Sequence, residues 1–205
     1  MSWPRRALLA AIALAALSLW LPWVWHRSAA LVLSGLDLPE FAQFMGEVRR
    51  GEVRVEPLAF LWPVVALALA CALAGACRKW SVYARLLALA FAVWLLALAF
   101  PPLEKPGELL AFAPLAIGVH IAASARRWPR AFGAVLLVLM ALTSASAPLA
   151  QFAVLLPALR RLYGAPLSLG AGVYLDAAAL LVGVTATAGL LLQERPSPRR
   201  YAKQT

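Results

Sequence analysis

Long stretches of the chain are apolar and carry at most one charge each, and short arginine clusters separate them. Six such stretches have roughly the length a helix needs to cross a bilayer core, about 20 apolar residues for about 30 Å. They cover residues 7–25, 57–77, 82–100, 107–124, 131–148 and 171–192. The run at 107–124 is the shortest and contains Pro114 and His120. Buried helices of soluble domains usually give apolar runs of only about 10–14 residues. The pattern therefore predicts an all-α fold, a polytopic transmembrane helix bundle with six spans, with residues 1–205 as one transmembrane domain.

Two polar segments interrupt the pattern at length. In the first, residues 26–56, the sequence Asp37-Leu38-Pro39-Glu40 reads as a helix start. Asp37 can accept from free N–H groups, Pro39 suits a first turn, and Glu40 completes a capping box. Phe41, Phe44, Met45 and Val48 then fall on one face of a helix over about 38–50. Arg49, Arg50 and Gly51 suit its C-terminus. This amphipathic helix is expected to lie on the extracytoplasmic side. The second segment, 151–170, is apolar but broken by Pro157, Pro166, Gly164 and Gly170 and interrupted by Arg160 and Arg161. It is expected to dip into the outer leaflet or to meet the first segment. The arginine pair can contact lipid phosphate, a substrate anion or an acidic side chain, with snorkelling to headgroups as the default.

Composition supports a membrane class: 63% of residues are hydrophobic and 14% charged, against about half and about a quarter in soluble domains. The net charge of +10 has a topological explanation. With the N-terminus inside, twelve Lys and Arg fall in short cytoplasmic segments and seven in the longer outer ones, as the positive-inside rule requires. Both termini are thus expected in the cytoplasm, in an inner (plasma) membrane. Trp20, Trp23, Trp25 and Trp62 fall near the outer boundary and Trp3, Trp80 and Trp128 near the inner one, as interfacial rings would. The basic charge is not organised as a nucleic-acid surface, so no nucleic-acid partner is expected. Met1 to Arg6 precedes an apolar run without a small-residue cleavage site, so an uncleaved first helix is expected rather than a signal peptide.

Candidate chemistry is sparse. Asp176 lies about five residues into the last run, roughly 7–8 Å below its outer end. A carboxylate at that depth usually faces a bundle interior or a wet cavity. Thr143, Ser144 and Ser146 reach a similar depth, and Glu108 stands at the outer end of the run at 107–124. Together they form a candidate polar pocket open to the outside. Asp37, Glu40, Arg160 and Arg161 are candidate outer-loop contacts. The structural alternative is that Asp176 caps a helix or pairs with Arg160 or Arg161. Cys71 and Cys77 stand six apart, on different helix faces, and His26 and His120 are expected on opposite sides of the membrane. No metal or cofactor is therefore expected. Small residues recur at spacing four in Ala66, Ala70 and Ala74 and in Ala179, Gly183 and Thr187, which permits close helix approach. No Gly-x-Ser-x-Gly, His-Glu-x-x-His or phosphate-binding glycine loop is present.

The segment Ser34-Gly35-Leu36-Asp37-Leu38-Pro39-Glu40-Phe41 resembles a stretch after the first span of uncharacterised bacterial multi-pass membrane proteins. The likeness covers about a fifth of the chain and implies no activity. Six spans with inside termini and large first and last outer loops are also similar to the substrate-binding components of energy-coupling-factor vitamin transporters, a likeness of shape alone. The expected function is that of a non-enzymatic accessory or structural subunit of an inner-membrane complex. Its expected partners are membrane lipid and other membrane subunits or further copies of itself. The alternatives are a small-molecule transport or binding component, and a membrane enzyme acting on lipid or quinone.

Overall fold

A computed structural model describes residues 2–26, 31–75, 90, 130–163 and 167–193. The apolar runs at 82–100 and 107–124, with Glu108 and His120, lie outside the described residues. So do Cys77 and the arginines that follow residue 193.

Helix α1 covers Trp3–Ser18 and places Pro4 in its first turn, where a missing N–H is tolerated. Leu8, Ala11, Ile12 and Ala15 form its fully buried face, at helical spacing. The helix tightens to end. Leu19 N–H bonds to the Ala16 carbonyl (3.2 Å), Trp20 N–H to Leu17 (3.2 Å) and Leu21 N–H to Ser18 (3.1 Å). These are the short bonds of a 3₁₀ turn. Pro22 cannot donate and pushes Leu21 out of helical conformation, so the chain becomes extended.

Strand β1, Pro22–His26, lies in the middle of a three-stranded sheet. Strand β2, Leu31–Ser34, pairs antiparallel on one edge, and β3, Ser168–Leu169, on the other. Val24 is opposite Leu33 in one ladder and Leu169 in the other. Two short helices follow β2, α2 over Asp37–Phe44 and α3 over Gly46–Arg49, with Met45 extended between them. Ser34 and Asp37 cap this turn reciprocally. Asp37 N–H donates to Ser34 Oγ (3.3 Å), and Ser34 N–H donates to the Asp37 carboxylate (3.0 Å). Gly51, at φ +76°, closes α3. Glu52 N–H reaches the Glu47 carbonyl (2.9 Å) and Gly51 N–H the Val48 carbonyl (3.0 Å), a Schellman termination.

The remaining helices are α4 over Pro57–Gly75, α5 over Arg130–Tyr163 and α6 over Ala171–Gln193. Helices α1 and α6 run antiparallel: the Trp3 ring lies over Gly189 at one end, and Ser18 with Trp23 lies over Gly172 at the other. Helices α4 and α5 are also antiparallel. Glu56 N–H donates to Gln151 Oε1 (3.1 Å), and Trp62 Nε1 donates to Thr143 Oγ1 (2.8 Å). Ala15, Ala145 and Ala179 meet where α1, α5 and α6 converge. At 34 residues, α5 is about 51 Å long. Phe152 packs on Trp23, level with the start of α6. The remaining turns to Tyr163 project roughly 16 Å past that level and join α2, α3 and the sheet in a cap.

The structure corrects the expected architecture. The fold is not all-α, because the cap contains a sheet. Six spans are not supported: among the described residues, two helices are long and apolar enough to cross a membrane, within Phe132–Tyr163 and Ala171–Gln193. The run at 7–25 is not one helix; α1 has 16 residues, about 24 Å, and Pro22–His26 is strand. Helix α4 supplies a shorter apolar stretch, Pro57–Leu73. The run at 131–148 does not stop at Pro148, since α5 continues through Pro148 and Pro157. The helix expected over 38–50 is two helices broken at Met45. It buries Leu38, Pro39 and Ala42 and leaves Phe44 74% exposed. With the six-span count goes the likeness of shape to vitamin-transporter components.

Candidate functional site

Four polar or charged residues are buried among those described: Ser18, His26, Ser144 and Asp176. Asp176 sits five residues after the start of α6, on the seam that also carries Gly172, Ala179 and Gly183. These small residues let α1 and α5 approach the α6 backbone closely. A Cβ on Gly172 would collide with the Trp23 indole and come within 2.8 Å of the Ser18 carbonyl. The same closeness leaves the Asp176 side chain fully covered.

The local hydrogen bonds are already committed. Ser18 Oγ donates to the Ala15 carbonyl (2.7 Å), and Trp23 Nε1 donates to the Ser18 carbonyl (2.9 Å). The Ala15 carbonyl takes this hydroxyl because Leu19 N–H has turned to Ala16. Ser18 lies beside the Asp176 carboxyl. Even so, neither Asp176 oxygen has a hydrogen-bond partner. A buried carboxyl usually has its lone pairs satisfied, so this one stands out. Trp23 covers the site from the strand side and is fully buried. It meets Phe152 edge-on at 5.3 Å and 83°, and Phe60 at 6.2 Å and 71°.

Of the other expected pocket residues, Thr143, Ser144 and Ser146 are among those described. Thr143 is exposed; it accepts from Trp62 and donates to the Leu139 carbonyl (2.7 Å). Ser144 is buried and donates to the Ala141 carbonyl (3.0 Å). Ser146 is exposed on another face of α5. Thr187, one turn beyond Gly183, donates to that residue's carbonyl (2.8 Å). Thr143, Ser144 and Thr187 therefore each bond a carbonyl of their own helix, and of the expected pocket residues described only Ser144 and Asp176 are buried. Ser18 and Trp23 were outside the expected set. One signal for Ser18 was available, since it is the single hydroxyl residue in the run 7–25.

In the cap, Arg161 makes a two-point pair with Glu47 across 114 positions of sequence, at 3.0 and 3.2 Å. This joins α5 to α3. Arg160 and Glu40 are exposed, and Asp37 is occupied by Ser34, whose hydroxyl donates to it at 2.6 Å. Arg50 and Glu52 form an exposed pair at 2.6 Å. Their hydrogen bond holds the Glu52 carboxyl below its ordinary range and raises Arg50. Among the described residues no three His, Cys, Asp or Glu gather as a metal centre. No family model matches the chain, and no curated protein and no solved structure matches it.

Proposed function

We propose that this chain is a non-enzymatic integral membrane protein that serves as an accessory or structural subunit of an inner-membrane assembly. The observation behind this reading is the outward face of α5 and α6. In their most apolar windows only 33% and 28% of the residues are buried. Phe132, Val135, Leu139, Leu181, Val184 and Leu191 are each at least half exposed. An aqueous surface rarely carries apolar patches of that extent, whereas lipid or a neighbouring membrane helix covers them without cost. Trp3 near one end of α1 and Trp20 just past the other are exposed and about 26 Å apart along the helix, close to a bilayer core. Arg5, Arg6 and Arg130 belong to the end opposite the cap, which favours that end as cytoplasmic.

Two experiments test the reading. Alkaline extraction of membranes should leave the chain in the pellet and detergent should release it; release by alkali refutes membrane integration. Purification of tagged chain in mild detergent should bring down a stoichiometric membrane partner or a second copy. A lone monomer contradicts the subunit role. The buried carboxyl of Asp176 supports a second reading, a binding component.

A further inference from the structure

The interior around Asp176 has more oxygen acceptors than donors. Four oxygens belong to it: both carboxylate oxygens of Asp176, the Ser18 hydroxyl and the Ala15 carbonyl. With Asp176 ionised, the one proton among them is that of the Ser18 hydroxyl, and the Ala15 carbonyl takes it at 2.7 Å. The indole N–H of Trp23 is engaged with the Ser18 carbonyl. Both carboxylate oxygens are left without a partner at zero exposure. No Lys or Arg is buried among the described residues. The C-terminal end of α1 adds the negative pole of a helix dipole to the same place.

We infer that Asp176, Ser18 and the Ala15 carbonyl form a binding site for one small alkali cation. The charge fits: a single carboxylate balances a single positive charge, whereas a divalent ion would leave a buried net charge, which is costly. The donor type fits too, because carboxylate, hydroxyl and carbonyl oxygens suit hard cations rather than soft metals. The size follows from the packing. Trp23 closes over Gly172, which leaves no room there for an organic cation. Bound there, the ion ties α1 to α6. The inference goes beyond the subunit reading and does not rest on it.

Thermal unfolding of the purified full-length chain in detergent tests this directly, with sodium chloride compared against choline chloride at equal ionic strength. Ligand linkage predicts a Tm that rises by a constant increment for each tenfold increase in Na⁺ above its dissociation constant. Choline should give no such rise, and Asp176→Asn should abolish it. Superimposed sodium and choline curves for the wild-type chain overturn the proposal without any variant. A sodium-specific rise that persists in Asp176→Asn also overturns it. If Asp176→Asn does not fold, Ser18→Ala replaces it and should need more Na⁺ for the same rise; an unchanged titration again overturns the site.

Discussion

Replacing Trp23 separates a core residue from its interfacial neighbours. Trp20, Trp23 and Trp25 stand within six positions, yet Trp20 and Trp25 are 45% and 57% exposed while Trp23 is fully buried. Trp23→Ala removes an indole packed against Phe60 and Phe152 and leaves a cavity over Gly35 and Gly172. Large-to-small changes of this kind cost about 3–5 kcal/mol. Trp23→Phe keeps most of the ring and loses the bond to the Ser18 carbonyl. That carbonyl retains Leu21 N–H at 3.1 Å, so it is not orphaned. The loss is then about 0.5–1.5 kcal/mol, the net value of one hydrogen bond. Trp25→Ala changes an exposed position and should shift stability by about 0.5 kcal/mol or less. Denaturant unfolding in mixed micelles, followed by far-UV circular dichroism, reads all three without relying on tryptophan emission. Equal losses for Trp23→Ala and Trp25→Ala would refute the assignment of Trp23 to the core.

Glycines and the cap give further tests. Gly172→Ala forces its new methyl group into the Trp23 indole and should cost about 1–3 kcal/mol. Gly133→Ala, in α5 with nothing within 4 Å, should be neutral or stabilise by up to about 1 kcal/mol; the same unfolding assay compares the two. A double-mutant cycle with Glu47→Gln and Arg161→Gln should give a coupling of about 0.2–1 kcal/mol that shrinks with added salt. Its small size follows from the 64% exposure of the Arg161 side chain. A coupling above about 2 kcal/mol would mean that the pair is desolvated in the assembled protein.

Local signals made parts of this fold legible in sequence. Gly51 lies where a helix needs a left-handed residue, and α6 occupies an unbroken apolar run that follows Gly170. The sheet was not legible for a physical reason. The run from Trp20 to His26 is short and apolar, and periodicity cannot tell a buried strand from a helix at that length. Its partner β2 follows within a few residues, but β3 on the other edge is remote in sequence, so the tertiary fold helps select the extended form. Helix α5 misled in the opposite direction. Pro148 and Pro157 read as stops, but each withdraws one N–H from a ladder that packing on α4 and the cap sustains. The site was half legible. Asp176 stands out as a carboxyl in an apolar run. The direction of each hydroxyl around it depends on helix rotation, which sent Thr143 to Trp62 and Ser146 outward while Ser18 arrived from the far end of the chain.

In the proposed membrane arrangement, α5 and α6 carry the lipid-facing surfaces. Spin labels at Leu139, Leu181 and Val184, in a chain whose Cys71 and Cys77 are replaced by alanine, test it in lipid vesicles. Strong relaxation by dissolved oxygen and little by a water-soluble nickel chelate are expected at all three positions, with the reverse at the exposed Arg160 of the cap. Free access of the nickel chelate to Leu139, Leu181 and Val184 would place these faces in water and rule out their contact with lipid.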